Sequence, residues 1–200
     1  MIIKKGQLPI LISIVLLIII FSYLSLERKN YEFLMYIGII IILAGIFIIT
    51  NKKSKISNRV LWGMVLWAFM HMSGGLLFIK DQKLYTIVLI DLFKIGNETV
   101  FRYDQLVHIV GFGIATYLIY ELIRDYLNDK TNWKILSMVL IFAGMGIGVV
   151  NEILEFIAVV ILPETGVGGY ENTLLDLISN TIGAIIVVIF INIKNYLKNR

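Results

Sequence analysis

Residues 10–26 read ILISIVLLIIIFSYLSL and residues 36–50 read YIGIIIILAGIFIIT. With their flanks, these runs supply the about 20 apolar residues that carry a helix across a bilayer. The rest of the chain agrees: its 200 residues are 58% hydrophobic and 16% charged, with a mean hydropathy of +0.87. Soluble domains run nearer one half apolar and one quarter charged. The expected fold is all-α, a polytopic membrane helix bundle. MIIKK at the start resembles the charged region of a signal peptide. The apolar stretch behind it is too long, and no small-residue cleavage site follows, so it reads as a retained first helix. The absence of cysteine excludes disulfides, thiolate metal sites and cysteine nucleophiles. The formal charge of +4 does not point to nucleic acid. In such a chain, basic residues report orientation.

Six spans emerge, at 8–26, 31–50, 58–79, 103–127, 133–162 and 172–193. Segments 1–7, 51–59, 124–134 and the C-terminal tail hold 12 of the 18 Lys and Arg residues. By the positive-inside rule they are cytoplasmic, as are both termini. This implies a multi-pass protein of the cell (inner) membrane. The 80–102 connection contains LYTIVLIDLF, which is too short to span and reads as a re-entrant or interfacial piece roofing the outer face. Asn97-Glu98-Thr99 matches a glycosylation acceptor pattern, although so short a match arises by chance.

No Lys or Arg falls in the middle of a span, but His71, Asp104, His108, Glu152, Glu155 and Asp176 do fall within spans. Ionisable groups there are costly and mark a functional site or a buried pairing. At about 100° per residue, Asp104, His108, Gly111 and Ala115 share one helix face. Gly144, Gly148, Glu152 and Glu155 share a second, and Asn172, Asp176, Asn180 and Gly183 a third. Gly63, Trp67, His71 and Gly74 make a looser fourth. Small residues on such stripes let helices approach closely. Spans 1 and 2 offer almost nothing comparable. The expected organisation is therefore two peripheral helices over 1–57 and a four-helix core over 58–200. All six ionisable residues fall at one depth near the outer face.

Taken singly, Asp104 can be a capping residue and His108 a hydrogen-bonded packing residue. Glu152 and Glu155 are harder to explain that way, because mid-helix glutamates have no surface to reach. Glu121, Arg124 and Asp125 read as a solvated cytoplasmic helix end. Candidate catalytic residues are Asp104, His108, Glu152, Glu155 and Asp176. Candidate metal ligands are His71, Asp104, His108 and Glu155, because histidine with carboxylates suits a divalent ion such as zinc, iron or manganese.

Four pieces occur in order: HMSGG (71–75), YDQLVHIVGFG (103–113), NEILEF (151–156) and ENTLLDLISNTIGA (171–184). Together they resemble the YjdF-like family of uncharacterised multi-pass inner-membrane proteins over about 60–185. Spans 4 to 6 also resemble VanZ-like proteins in their Asp-x-x-x-His helix, Glu-containing helix and Asp-x-x-x-Asn-x-x-Gly-Ala ending. The resemblance carries over to His71, Tyr103, Asp104, His108, Glu152, Glu155, Asp176, Asn180 and Gly183. A tryptophan-rich stretch of the family is here GGYENTLLDL (168–177), and the Tyr after the first His-Gly motif is missing. Three functions stay open: a membrane enzyme acting on a lipid or lipid-linked envelope substrate, a proton-coupled carrier, or a structural or regulatory protein. One-sided placement of the ionisable groups favours the enzyme, since a transport path would continue through the cytoplasmic half.

Overall fold

The computed structural model describes residues 3–96 and 98–198. Six long helices dominate: α1 (Leu8–Glu27), α2 (Tyr31–Thr50), α3 (Asn58–Leu76), α4 (Tyr103–Ile123), α5 (Trp133–Ile161) and α6 (Tyr170–Lys198). All but α3 are long and apolar enough to cross a membrane. In lipid, a helix is favoured because it satisfies its own backbone. The ends are closed locally. Asn30 accepts a hydrogen bond from the Phe33 N–H at 3.1 Å, and Ser57 one from Val60 at 3.4 Å. Asn132 accepts from Lys134 and Ile135 at 3.1 and 3.3 Å. At the other end of α3, Arg28 donates to the Leu76 carbonyl and lies 4.9 Å from the Phe78 ring centroid.

The helix boundaries fall near those expected from hydropathy, with two informative exceptions. α3 stops three residues early, because Leu77 turns extended. α6 runs on to Lys198, since its last turns are amphipathic and not simply apolar. Among the described residues between α3 and α4, no α-helix re-enters the bundle. β1 (Phe78–Ile79) and β2 (Gln82–Lys83) form a hairpin whose two turn residues, Lys80 and Asp81, both have positive φ. Such a turn matches the right-handed twist of the flanking strands. A single 3₁₀ turn, Leu84–Thr86, leads into extended chain, where Val88 bridges to Arg102. A second hairpin pairs β3 (Lys94–Ile95) with β4 (Glu98–Thr99). β-Branched Ile87, Val88 and Ile90 favour this extended path. Leu89, Ile90, Leu92 and Phe93 are exposed on it. Asn97, of the acceptor pattern, lies outside the described residues.

Two apolar clusters hold the bundle. Leu17 and Phe21 of α1, Phe33, Tyr36, Ile37 and Ile40 of α2, and Ala68, Met72 and Leu76 of α3 form one. Leu136 and Leu140 of α5 with Val188 and Ile191 of α6 form the other, flanked by Tyr117 and Tyr120 of α4. Between them α4 meets α6 at its closest, where a Cβ on Gly183 would strike the Ile109 carbonyl. Gly111 likewise lies against Trp67, and Gly144 against Thr116, so the small-residue stripes are the helix contacts. Glu121 departs from its reading as a solvated end. It is buried, and accepts a hydrogen bond from the Ser57 N–H at 2.7 Å, joining α4 to the start of α3.

Candidate functional site

At the end of the bundle that carries the 77–102 connection lies a cavity of about 210 Å³. Its lining comes from every helix but α1. Asp104 and His108 come from α4 and Glu155 from α5, with His71 from α3 and Asn172 from α6. α2 adds Glu32 and Tyr36, and the connection adds Lys83, Tyr85 and Arg102. The i, i+4 spacing of Asp104 and His108 puts both on the first turns of α4, facing inward.

His108 is the hub. It is 5% exposed and stacks on Phe112 at 5.7 Å between centroids. Its Nδ1 lies 2.9 Å from Asn180 Oδ1. With that carbonyl oxygen as acceptor, Nδ1 is the donor, which leaves Nε2 as the nitrogen facing the aspartates. Nε2 faces Asp104 Oδ1 at 3.7 Å and Asp176 Oδ1 at 3.9 Å. On the other side, Glu152 Oε1 lies 3.9 Å from Nδ1. Asp104, His108 and Asp176 each offer a ligand atom within 4.8 Å of the others, and so do His108, Glu152 and Glu155.

A hydrogen-bonded chain aims the two aspartates. Arg102 Nη2 donates to Asn172 Oδ1 at 2.7 Å. Asn172 Nδ2 donates to Asp176 Oδ2 at 2.5 Å and to Asp104 Oδ2 at 3.4 Å. One amide thus holds the outer oxygen of both carboxylates and turns both Oδ1 atoms toward His108. Asp176 is 1% exposed and Glu152 9%, and among the described residues Asp176 Oδ1 and Glu152 Oε1 have no hydrogen-bond partner. Buried oxygens of this kind are costly unless something electropositive meets them. Glu155 is better provided for, accepting from Asn151 Nδ2 at 2.7 Å.

His71 stands apart from these groups. It lies between Trp67 and Phe33, at 5.5 and 5.7 Å with near-parallel rings. The Tyr85 hydroxyl sits 2.6 Å from its Nδ1 and donates to its backbone carbonyl at 2.9 Å. Of the tetrad His71, Asp104, His108 and Glu155 expected from the sequence, all four line the cavity, and His71 falls outside the two clusters with ligand spacing. Asp104 and His108 join Asp176, Glu155 joins Glu152 and His108, and aromatic rings surround His71. Burial, and then the nearby Asp104 and Glu155 carboxylates, push the Tyr85 phenol well above its ordinary pKa and keep it a neutral donor.

Sequence reading missed Glu32, Tyr36, Lys83, Tyr85 and Arg102. Glu32 is buried and accepts from the Gly166 N–H at 2.5 Å, so α2 is a wall of the cavity. The pair Glu32 and Tyr36, four residues apart on α2, was the available signal. Lys83, Tyr85 and Arg102 lie on non-periodic chain and left none.

Fold and site together define a polytopic helical membrane protein with a buried His/Asp/Glu centre beneath one face. The family described as "Predicted membrane protein (DUF2238)" matches residues 8–195, and the chain belongs to it. No curated protein and no solved structure matches.

Proposed function

We propose that the chain is a membrane-embedded enzyme of the cell membrane that acts on a lipid or lipid-linked envelope substrate. It spans six times with both termini cytoplasmic, and the cavity opens to the outer leaflet. A divalent cation would be held by His108, Asp104 and Asp176. The observation that carries this reading is the convergence at His108: oxygens of Asp104 and Asp176 face Nε2 at 3.7 and 3.9 Å, and the Asp176 oxygen is buried with no hydrogen-bond partner among the described residues. Neutral imidazole with carboxylates suits zinc, manganese or iron. The Arg102–Asn172 chain is the outer support that orients such ligands.

A bound cation supplies Lewis acidity and lowers the pKa of a water molecule. Glu155 lines the cavity and takes the proton of the attacking water, in a hydrolysis whose leaving oxygen receives that proton back. Lys83 and Arg102 at the cavity wall meet an anionic headgroup. No Asp, Glu, His, Lys or Arg occurs in 109–120, 135–150 or 177–193. The carboxylates and histidines thus do not continue along α4, α5 and α6 to the other face, which favours the enzyme reading over a carrier. Metal analysis on detergent-purified protein tests the proposal. About one equivalent per chain is expected in wild type and almost none in His108→Ala. Metal-free wild type after metal-replete purification overturns it.

A further inference from the structure

A second groove lies at the opposite end of the bundle, between α3 and α6 on the face of α4. Its volume is about 420 Å³, and Val110, Ile114, Ile186 and Phe190 supply much of its apolar wall. Arg59 and Lys194 line its mouth, both exposed, and Lys194 Nζ donates to the Tyr117 hydroxyl at 3.3 Å. Its inner end is Ile109 and Gly183. Along α6, Gly183 and Lys194 are separated by ~16 Å at 1.5 Å per residue. That is half of the ~30 Å hydrocarbon core, the depth of one leaflet.

We infer that this groove binds an anionic phospholipid of the leaflet opposite the His108 cavity. The phosphate lies between Arg59 and Lys194, and one acyl chain lies along α4. Charge and length both support this occupant. Two cations sit at headgroup level over an apolar wall of one-leaflet depth, and the lysine keeps two donors beyond its bond to Tyr117. Lys4, Lys5, Lys52, Lys53 and Lys55 fall in the segments expected at the same face, where anionic lipid gathers. The chain end would reach Ile109, the residue next to His108, so the lipid would fill the bundle just beneath the polar centre. The inference is independent of any catalytic role for that centre.

Native mass spectrometry of the full chain in detergent tests it by titration with phosphatidylglycerol or phosphatidylcholine of the same acyl chains. Wild type is expected to prefer phosphatidylglycerol. Arg59→Gln and Lys194→Gln together should weaken that lipid by about 25-fold, or about 5-fold each, and leave phosphatidylcholine unchanged. Lys130→Gln, which removes an exposed cation outside the groove, should change neither. Ile186→Trp, which fills the groove and keeps both cations, should weaken both lipids. Equal affinity for the two lipids in wild type overturns the inference. So does a preference that survives the double substitution, or a groove occupied by a second copy of the chain, seen as a dimer that Ile186→Trp dissociates without changing lipid binding.

Discussion

His71 and His108 are both buried in the same half of the bundle, and both line one cavity, yet their surroundings are opposites. Trp67, Phe33, Tyr36 and Tyr85 crowd His71, and the Tyr85 hydroxyl meets both the Nδ1 and the backbone carbonyl of His71. His108 instead has carboxylate oxygens on both nitrogen sides and a single stacked ring. An aromatic cage satisfies an imidazole without any ion. A carboxylate cage leaves lone pairs facing lone pairs, and calls for a cation or protons. Within a single cavity, one histidine is held by aromatic packing and the other is the proposed ligand.

The largest expected effect breaks the His108 side. His108→Ala removes the side chain shared by both triads, and bound metal should fall more than about 100-fold, beyond the 10–100-fold typical of losing an outer hydrogen-bond partner. His71→Ala should leave metal content at wild-type level while lowering thermal stability. Equal metal loss in both variants would erase the distinction. The two triads can be resolved in the same assay. Asp176→Asn should deplete metal strongly and Glu152→Gln weakly, if the ion sits on the Nε2 side. Asn172→Ala leaves every ligand in place but frees both aspartates, so a 10–100-fold loss of affinity is expected from equilibrium dialysis.

Much of the His108 side was legible in the sequence, because a helix repeats every 3.6 residues. That period alone puts Asp104 over His108, Glu152 near Glu155, and Asn172, Asp176 and Asn180 on one stripe. The membrane sharpened the signal, since apolar neighbours make each polar residue conspicuous. The His71 side was not legible in the same way. His71 has a helical period too, but its partner Tyr85 arrives from extended chain after a hairpin, and Phe33 and Tyr36 arrive from α2. No spacing rule links those segments; only tertiary packing does. The same limit concealed Arg102, whose role depends on a contact 70 residues away in sequence.

Two glycines offer a matched test at intermediate size. A Cβ on Gly148 would meet Asn180 Nδ2 at 2.7 Å, and a Cβ on Gly74 would collide with the Tyr85 ring. Gly148→Ala should therefore displace the amide that fixes the His108 tautomer and weaken metal binding, within the 10–100-fold range of an outer partner. Gly74→Ala should dislodge Tyr85 and lower stability with no change in metal. Gly45→Ala, with nothing within 4 Å of the new Cβ, serves as the neutral control.

The smallest expected effect concerns Tyr85→Phe, and it is the sharpest on the His71 side. The substitution keeps the ring against its aromatic neighbours and removes only the hydroxyl. His71 Nδ1 and its carbonyl lose a partner, at a cost of about 1–2 kcal/mol read as a lower Tm in detergent. Metal content should not move. The pH dependence is specific as well. The folded phenol is held above its ordinary value by burial and by Asp104 and Glu155, whereas an unfolded tyrosine ionises near about 10. Above that pH the unfolded state binds fewer protons than the folded one, so stability falls as pH rises. The stabilising contribution is complete below about 10 and is lost only on the alkaline side. Tyr85→Phe should remove that part of the alkaline slope while leaving the neutral-pH dependence as in wild type. An unchanged slope would mean that Tyr85 meets water in solution and that the aromatic cage around His71 is open.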